Sequence, residues 1–71
     1  MTKEQIKAAQ ATEIRRKKFM AQQELKRLNA EKRDALDRDD IAELKSLNRM
    51  TGELNAEIDA CNKAIRELEA E

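Results

Sequence analysis

The chain carries one thiol, Cys61, and no histidine that could accept its proton. A cysteine becomes a nucleophile or a metal ligand when a neighbouring base or cation stabilises its thiolate. Cys61 instead lies in a repeat of apolar side chains, where a buried packing role is expected. Without histidine, His-based acid–base chemistry and His/Cys metal clusters are excluded, and the carboxylates that remain are expected on solvated helix faces. A single glycine provides no phosphate-binding loop. The sequence therefore predicts no catalytic residue, cofactor, metal or small-molecule substrate, and we expect a protein that is not an enzyme.

A second candidate site is the acidic stretch at positions 37–43. A calcium loop of the EF-hand type needs glycine at its sixth position and glutamate at its twelfth. Counted from Asp37, these positions hold Ala42 and Asn48, so calcium binding is not predicted. Acidic side chains at the start of a helix cap its free N–H groups and interact favourably with its dipole. That role is expected here, with Asp37 as the N-cap residue.

The densest positive charge is the basic run from Arg15 to Lys18. Four consecutive helical residues point all round the helix, but Arg15 and Arg16 form an outward basic face with neighbours one turn away, and this face includes Phe19 and Met20. Such a face could hold phosphates with the aromatic ring stacked on a base, dock a protein, or be solvated and pair with acidic residues elsewhere. The predicted partner-binding residues are Arg15, Arg16, Phe19, Met20, Gln23, Lys26 and Arg27.

Length and composition indicate the fold class. With 71 residues the chain is expected to form a single domain. Charged residues make up 42%, proline is absent, and Ala, Glu, Lys, Gln, Arg and Leu, all strong helix formers, are abundant. No stretch is apolar enough to cross a membrane, and the N-terminus lacks the apolar core of a signal peptide. An all-α, cytoplasmic protein with no membrane contact is predicted.

The second half of the chain has the more regular pattern. From Leu44 onward, apolar residues recur in steps of three and four, the heptad repeat of a coiled-coil seam. The first half has a less regular heptad repeat, because Lys18 and Lys32 occupy positions where the repeat would place apolar residues. The predicted helix-seam residues are Ile14, Ala21, Leu25, Leu28, Leu44, Leu47, Leu54, Ile58, Cys61, Ile65 and Leu68.

The two repeats are out of phase. The first places an a position at Lys32 and the second at Leu44, twelve residues later, whereas a continuous heptad repeat would need fourteen. This loss of phase and the acidic cap predict a turn and an antiparallel two-helix hairpin. Thr2 and Gln5 form a predicted capping box at the start of the first helix. The predicted boundaries are helix 1 at about 3–35, the turn at about 36–39 and helix 2 at about 39–69. One continuous helix, roughly 105 Å long, is the alternative.

Charge is divided between the halves. Residues 1–36 hold ten basic and five acidic residues, and residues 37–71 hold five basic and ten acidic, so the net charges are +5 and −5. A hairpin lays these opposite charges side by side, although an exposed ion pair contributes only about 0.2–1 kcal/mol. Because two helices alone bury little surface, a partner is expected, and dimerisation into a four-helix bundle is predicted.

The short chain, its Met-Thr-Lys opening, the acidic turn and the single phenylalanine on the first helix resemble, in outline, the Rop-type plasmid RNA-binding hairpin dimers. The arms are longer here, and no motif covers more than a few residues. The RNA-binding role of that family is therefore not carried over to positions of this chain.

Together these features predict a non-catalytic protein-interaction module that acts through helical surfaces, such as an adaptor, an inhibitor or a small component of an assembly. Its expected partners are a second copy, in a homodimer, another protein, or both. One alternative is a small RNA- or DNA-binding helical dimer that uses the basic face of helix 1. The other is a purely structural coiled-coil oligomer.

Overall fold

The chain reverses direction once. In the computed structural model, which describes residues 2–70, helix α1 runs from Lys3 to Asp37 and helix α2 from Ile41 to Ala70. The helices pack against each other as a hairpin of 55 × 15 × 12 Å. The all-helical, two-helix prediction is confirmed for the described residues, and the alternative of one continuous helix is wrong. The dimer stays a prediction.

Helix α1 begins with the predicted capping box. The hydroxyl of Thr2 accepts a hydrogen bond from the backbone N–H of Gln5 at 3.2 Å. Oε1 of Gln5 accepts one from the backbone N–H of Thr2 at 3.0 Å. These two bonds satisfy donors that have no partner within the helix. Reciprocal capping therefore fixes the first turn of α1.

Helix α1 ends in a Schellman-type turn. Its C-cap is Arg38, and Asp39 follows in the left-handed region with a φ of 55°. The N–H of Asp40 donates to the carbonyl of Ala35 at 2.9 Å, and that of Asp39 to the carbonyl of Leu36 at 3.1 Å. These bonds satisfy carbonyls of the last turn. Glycine is usual at the left-handed position, and aspartate is among the few other residues that tolerate it.

Helix α2 begins at Ile41, and Asp40 is its N-cap. The Asp40 carboxylate accepts a hydrogen bond from the backbone N–H of Glu43 at 3.1 Å. The prediction of Asp37 as the cap is wrong, because Asp37 is the last residue of α1. The chain needs the left-handed residue Asp39 before it can reverse, so the cap falls at the next position, and the turn occupies residues 38–40.

The contact between the helices follows the seam. Every seam residue named from the sequence is buried or half-buried. Toward the turn, Leu28, Ala35 and Leu47 form a core cluster, with Leu44 and Leu54 packed against it. The exposed fraction of Leu28 is 1%. The hairpin is thus held by a narrow apolar strip rather than by an enclosed core.

Polar side chains interrupt this strip. Lys18 and Lys32 lie half-buried within it, and a lysine stem can cover apolar surface while its ammonium group stays in water. Thr51 is 4% exposed, and its hydroxyl donates to the backbone carbonyl of Asn48 at 3.0 Å. Within residues 2–70, no buried side-chain nitrogen or oxygen lacks a hydrogen-bond partner. The seam therefore accommodates polar groups without leaving one buried and unpaired.

Gly52 lies on the exposed surface of α2, and the helix continues through it without interruption. Its φ is not positive, and a Cβ atom added there would meet no neighbouring atom within 4 Å. Neither the backbone conformation nor the packing of the hairpin requires a glycine at this position.

Replacing Asp40 by alanine is expected to lower the free energy of unfolding by about 1 kcal/mol, because the N-cap acceptor is lost. The matched control, Asp37→Ala, removes a carboxylate that caps nothing, and we expect a change below about 0.5 kcal/mol. Urea denaturation followed by circular dichroism measures both. Equal losses in the two variants would contradict the assignment of the cap to Asp40.

Gly52→Ala is expected to raise the free energy of unfolding by about 0.5–1 kcal/mol, because alanine restricts the unfolded chain and fits an uncrowded helical site. The reverse change at an exposed site of the same helix, Ala56→Gly, should lower it by a similar amount. Thermal denaturation compares the two. A loss of stability in Gly52→Ala would show that this site does need glycine.

Candidate interaction surfaces

The predicted partner-binding residues all lie on α1, and all of them are exposed. Successive residues of an α-helix are rotated by about 100° around its axis. Side chains from adjacent positions therefore point to different sides. The structure divides the predicted set into a row on the outer face, a residue on one flank and two arginines engaged in ion pairs.

Arg16, Phe19, Gln23 and Lys26 form the row, which we name the Phe19 ridge. Their steps of three and four residues keep them on one side of the helix. The exposed fraction of Phe19 is 57%. Arg16 and Lys26 make no ion pair within the described chain. The ridge lies outside the seam, so its side chains are accessible to a partner.

Met20 follows Phe19 in the sequence but lies on a different flank of α1. Its side chain is 63% exposed. It lines a shallow groove together with Lys17 of α1 and with Leu54 and Glu57 of α2. Phe19 and Met20 therefore do not form one apolar patch, although the sequence analysis assigned both to the same surface.

Arg15 and Arg27 are engaged within the hairpin. Nη2 of Arg15 lies 3.9 Å from Oε1 of Glu69 on α2, and both side chains are mostly exposed. Arg27 pairs with Glu24 and, at 2.7 Å, with Glu31 on its own helix. The hydrogen bond between Arg27 and Glu24 lowers the pKa of Glu24 and raises the pKa of Arg27. A partner would have to compete for both arginines.

Three open hollows follow one another between α1 and α2 on the Met20 flank, and we name this row of hollows the acidic groove. Met20 and Met50 contribute to its walls. Seam side chains form its floor, namely Ile14, Ala21, Leu28, Leu54 and Leu68. Its carboxylates are Glu13, Glu24, Glu53, Glu57 and Glu67. The groove combines an apolar floor with a largely acidic rim.

Sequence reasoning missed the acidic groove. Glu24 lies on α1 and Glu57 on α2, and nothing local in the sequence places them together. Glu24 directly precedes Leu25 and Glu57 directly precedes Ile58, and both following residues belong to the heptad repeat of their helix. In an antiparallel pair of helices, the residues directly before these heptad positions lie on the same flank. The acidic pattern can therefore be recognised only once the register between the helices is known.

The opposite flank of α2 has a different character. Asn48, Asn55 and Asn62 recur at intervals of seven residues beside the seam, and Gly52 lies between the first two. Uncharged amides therefore border the middle of this flank, whereas carboxylates border the acidic groove. The two sides of the hairpin differ in charge.

The acidic turn and the cysteine both have structural positions in the hairpin. Asp39 and Asp40 build the turn, as described above, and residues 2–70 contain no group of three or more His, Cys, Asp or Glu side chains arranged to hold a metal ion. Cys61 is a buried free thiol. Neither described helix contains a segment apolar enough to span a membrane.

Comparison of the chain with protein-family models, curated proteins and solved structures finds no match.

Arg27→Ala is expected to raise the pKa of Glu24 toward its ordinary value, because the hydrogen bond that lowers it is removed. Lys26→Ala, the matched control, should leave this pKa unchanged. Side-chain carboxyl carbon shifts, followed by NMR through an acid titration, measure both. If the pKa of Glu24 is the same in Arg27→Ala as in the original chain, the pair does not persist in solution.

The sign of the pH dependence follows from the same pair. A carboxyl whose pKa is lowered on folding contributes stability above its unfolded-state pKa, and that contribution disappears as the pH falls through the folded-state value. The acid-side loss of stability should therefore be smaller in Arg27→Ala. Because Glu24 and Arg27 are exposed, the difference is expected to be small.

Proposed function

We propose that this protein is a non-catalytic interaction module that binds another protein through the Phe19 ridge. The observation that carries the proposal is the position of Phe19, the one aromatic residue of the chain. It is 57% exposed on the outer face of α1. The two-helix contact does not use it, because the seam lies on the other side of the helix.

The chemistry of the ridge fits a protein partner. Full burial of a fully exposed phenylalanine gains roughly 1.5–3 kcal/mol, and Phe19, which is 57% exposed, would gain about half of that. Phenylalanine and arginine are enriched at protein interfaces relative to the rest of protein surfaces. In the ridge, Phe19 has Arg16 one turn before it and Lys26 two turns after it, so a partner with an apolar pocket and acidic neighbours would match its side chains.

A second candidate is RNA or DNA binding through the same ridge. Arg16 and Lys26 make no ion pair within the described chain, so both charges are accessible to phosphates. The net charge of zero and the carboxylates of α2 make the hairpin as a whole a weak polyanion ligand. This balance favours the protein partner.

Assembly with a second copy is part of the same proposal. The hairpin leaves apolar side chains such as Ile6 and Leu36 exposed, and a four-helix bundle of two chains would cover part of this apolar surface. A purely structural oligomer would do so without any external partner. Light scattering on the eluting protein distinguishes one chain from two.

Phe19→Ala is expected to abolish capture of the partner from a lysate of the source cells, because the central apolar contact is lost. Ile41→Ala, the matched control, truncates a large side chain of similar exposure beside the turn and should leave capture intact. Quantitative mass spectrometry of affinity-purified samples measures both. Circular dichroism and light scattering should show unchanged helicity and mass.

The outcomes separate the candidate functions. Unfolding of Phe19→Ala would place the ring in a contact needed by the fold and contradict the proposal. Co-purified nucleic acid, released by high salt and lost in Arg16→Glu and Lys26→Glu, would favour the second candidate. A two-chain species that retains no other macromolecule would favour the structural oligomer.

A further inference from the structure

The acidic groove is a second surface, which shares Arg16 with the Phe19 ridge at its edge. We propose that it binds a basic amphipathic helix of another protein, which would complete a three-helix bundle with α1 and α2. This inference goes beyond the proposed function, since it assigns a different surface and a stated partner chemistry.

The floor has the spacing that a third helix needs. Ile14, Ala21 and Leu28 line it at intervals of seven residues along α1. A helix with an apolar heptad stripe presents its side chains at the same interval, so they can enter the gaps between floor residues. The lined part of α1, residues 10–28, is about 27 Å long, which a helix of about 18 residues would span.

The side chains of the groove leave room for apolar anchors. Ala21 lines its middle section and Ala64 the section toward the open end of the hairpin. Small residues at these points allow the larger side chains of an incoming helix to approach the seam. Met20 and Met50 stand beside them, and the flexible methionine side chain adapts its shape to different partners.

The charge of the rim selects the occupant. Apart from Glu24, which pairs with Arg27, the rim carboxylates make no ion pair within the described chain. The basic residues that line the groove are Arg16 and Lys17, at the end of its middle section. Two copies meeting groove to groove would bring carboxylates together. Lysines or arginines beside the apolar stripe of a partner helix would instead pair with them.

The test uses two fluorescein-labelled helical peptides of about 21 residues, or three heptads. Both carry leucine at a and d; one carries lysine at the flanking e and g positions, and the other glutamate. Fluorescence anisotropy with the full chain measures binding. The lysine peptide is expected to bind and the glutamate peptide not to bind. Equal binding of the two peptides would overturn the proposal.

Charge variants locate the contact. Glu53→Gln combined with Glu57→Gln should weaken binding of the lysine peptide about five- to tenfold. The matched control, Asp59→Asn combined with Glu69→Gln, removes the same charge from α2 outside the groove and should change binding by less than about twofold. Equal weakening by both pairs would show only general attraction to an acidic helix and would overturn the assignment to the groove.

Amide chemical shifts of the ¹⁵N-labelled chain complete the test. Addition of the lysine peptide should shift Met20, Ala21 and Leu54 and leave Asn48 and Asn55 unchanged. Shifts confined to the asparagine flank, or a two-chain species that excludes the peptide, would overturn the proposal. Phe19→Ala should bind the peptide normally, so failure of the ridge and failure of the groove are distinguishable.

Discussion

Two helices meet along one line, and each can bury only the stripe of side chains that faces the other. Near the turn of this hairpin, Leu28 and Leu47 provide the large buried groups. The contact line and the short turn at residues 38–40 together set the register, that is, which residues of α1 lie beside which residues of α2. That register decides which outer residues become neighbours across the helices, as Arg15 and Glu69 do. Both candidate surfaces therefore depend on the seam.

Much of the fold can be predicted because its signals are local and periodic. The repeat that begins at Leu44 identifies the buried stripe of α2, because an apolar heptad repeat places its side chains along one side of a helix. Thr2 and Gln5 predict the helix start because a capping box needs only residues three apart. The cap of α2 is harder to predict. Several neighbouring aspartates can all cap a helix, and the choice of Asp40 follows from the left-handed conformation of Asp39.

The surfaces are less predictable, since they depend on rotation around one helix and on alignment with another. Phe19 and Met20 are adjacent in sequence, yet one lies on the outer ridge and the other beside the groove. The sequence identified both as exposed apolar residues but not their separation. The acidic groove is harder to predict from the sequence than the Phe19 ridge. Its floor combines residues such as Ala21 and Leu54, which only the register brings together.

The distribution of charge bears on the proposed choice of partner. The sequence divides charge between its halves, and pairing along the arms would cancel it. Arg15 does pair with Glu69 across the arms, but Arg27 pairs with Glu24 and Glu31 on its own helix, and Glu53 and Glu57 of α2 remain at the rim of the groove. The opposite net charges of the two halves of the sequence thereby become a difference in charge between the two flanks of the hairpin. If a helix binds this flank as proposed, its bare carboxylates would repel an acidic surface and attract a basic one, so charge would favour a basic partner.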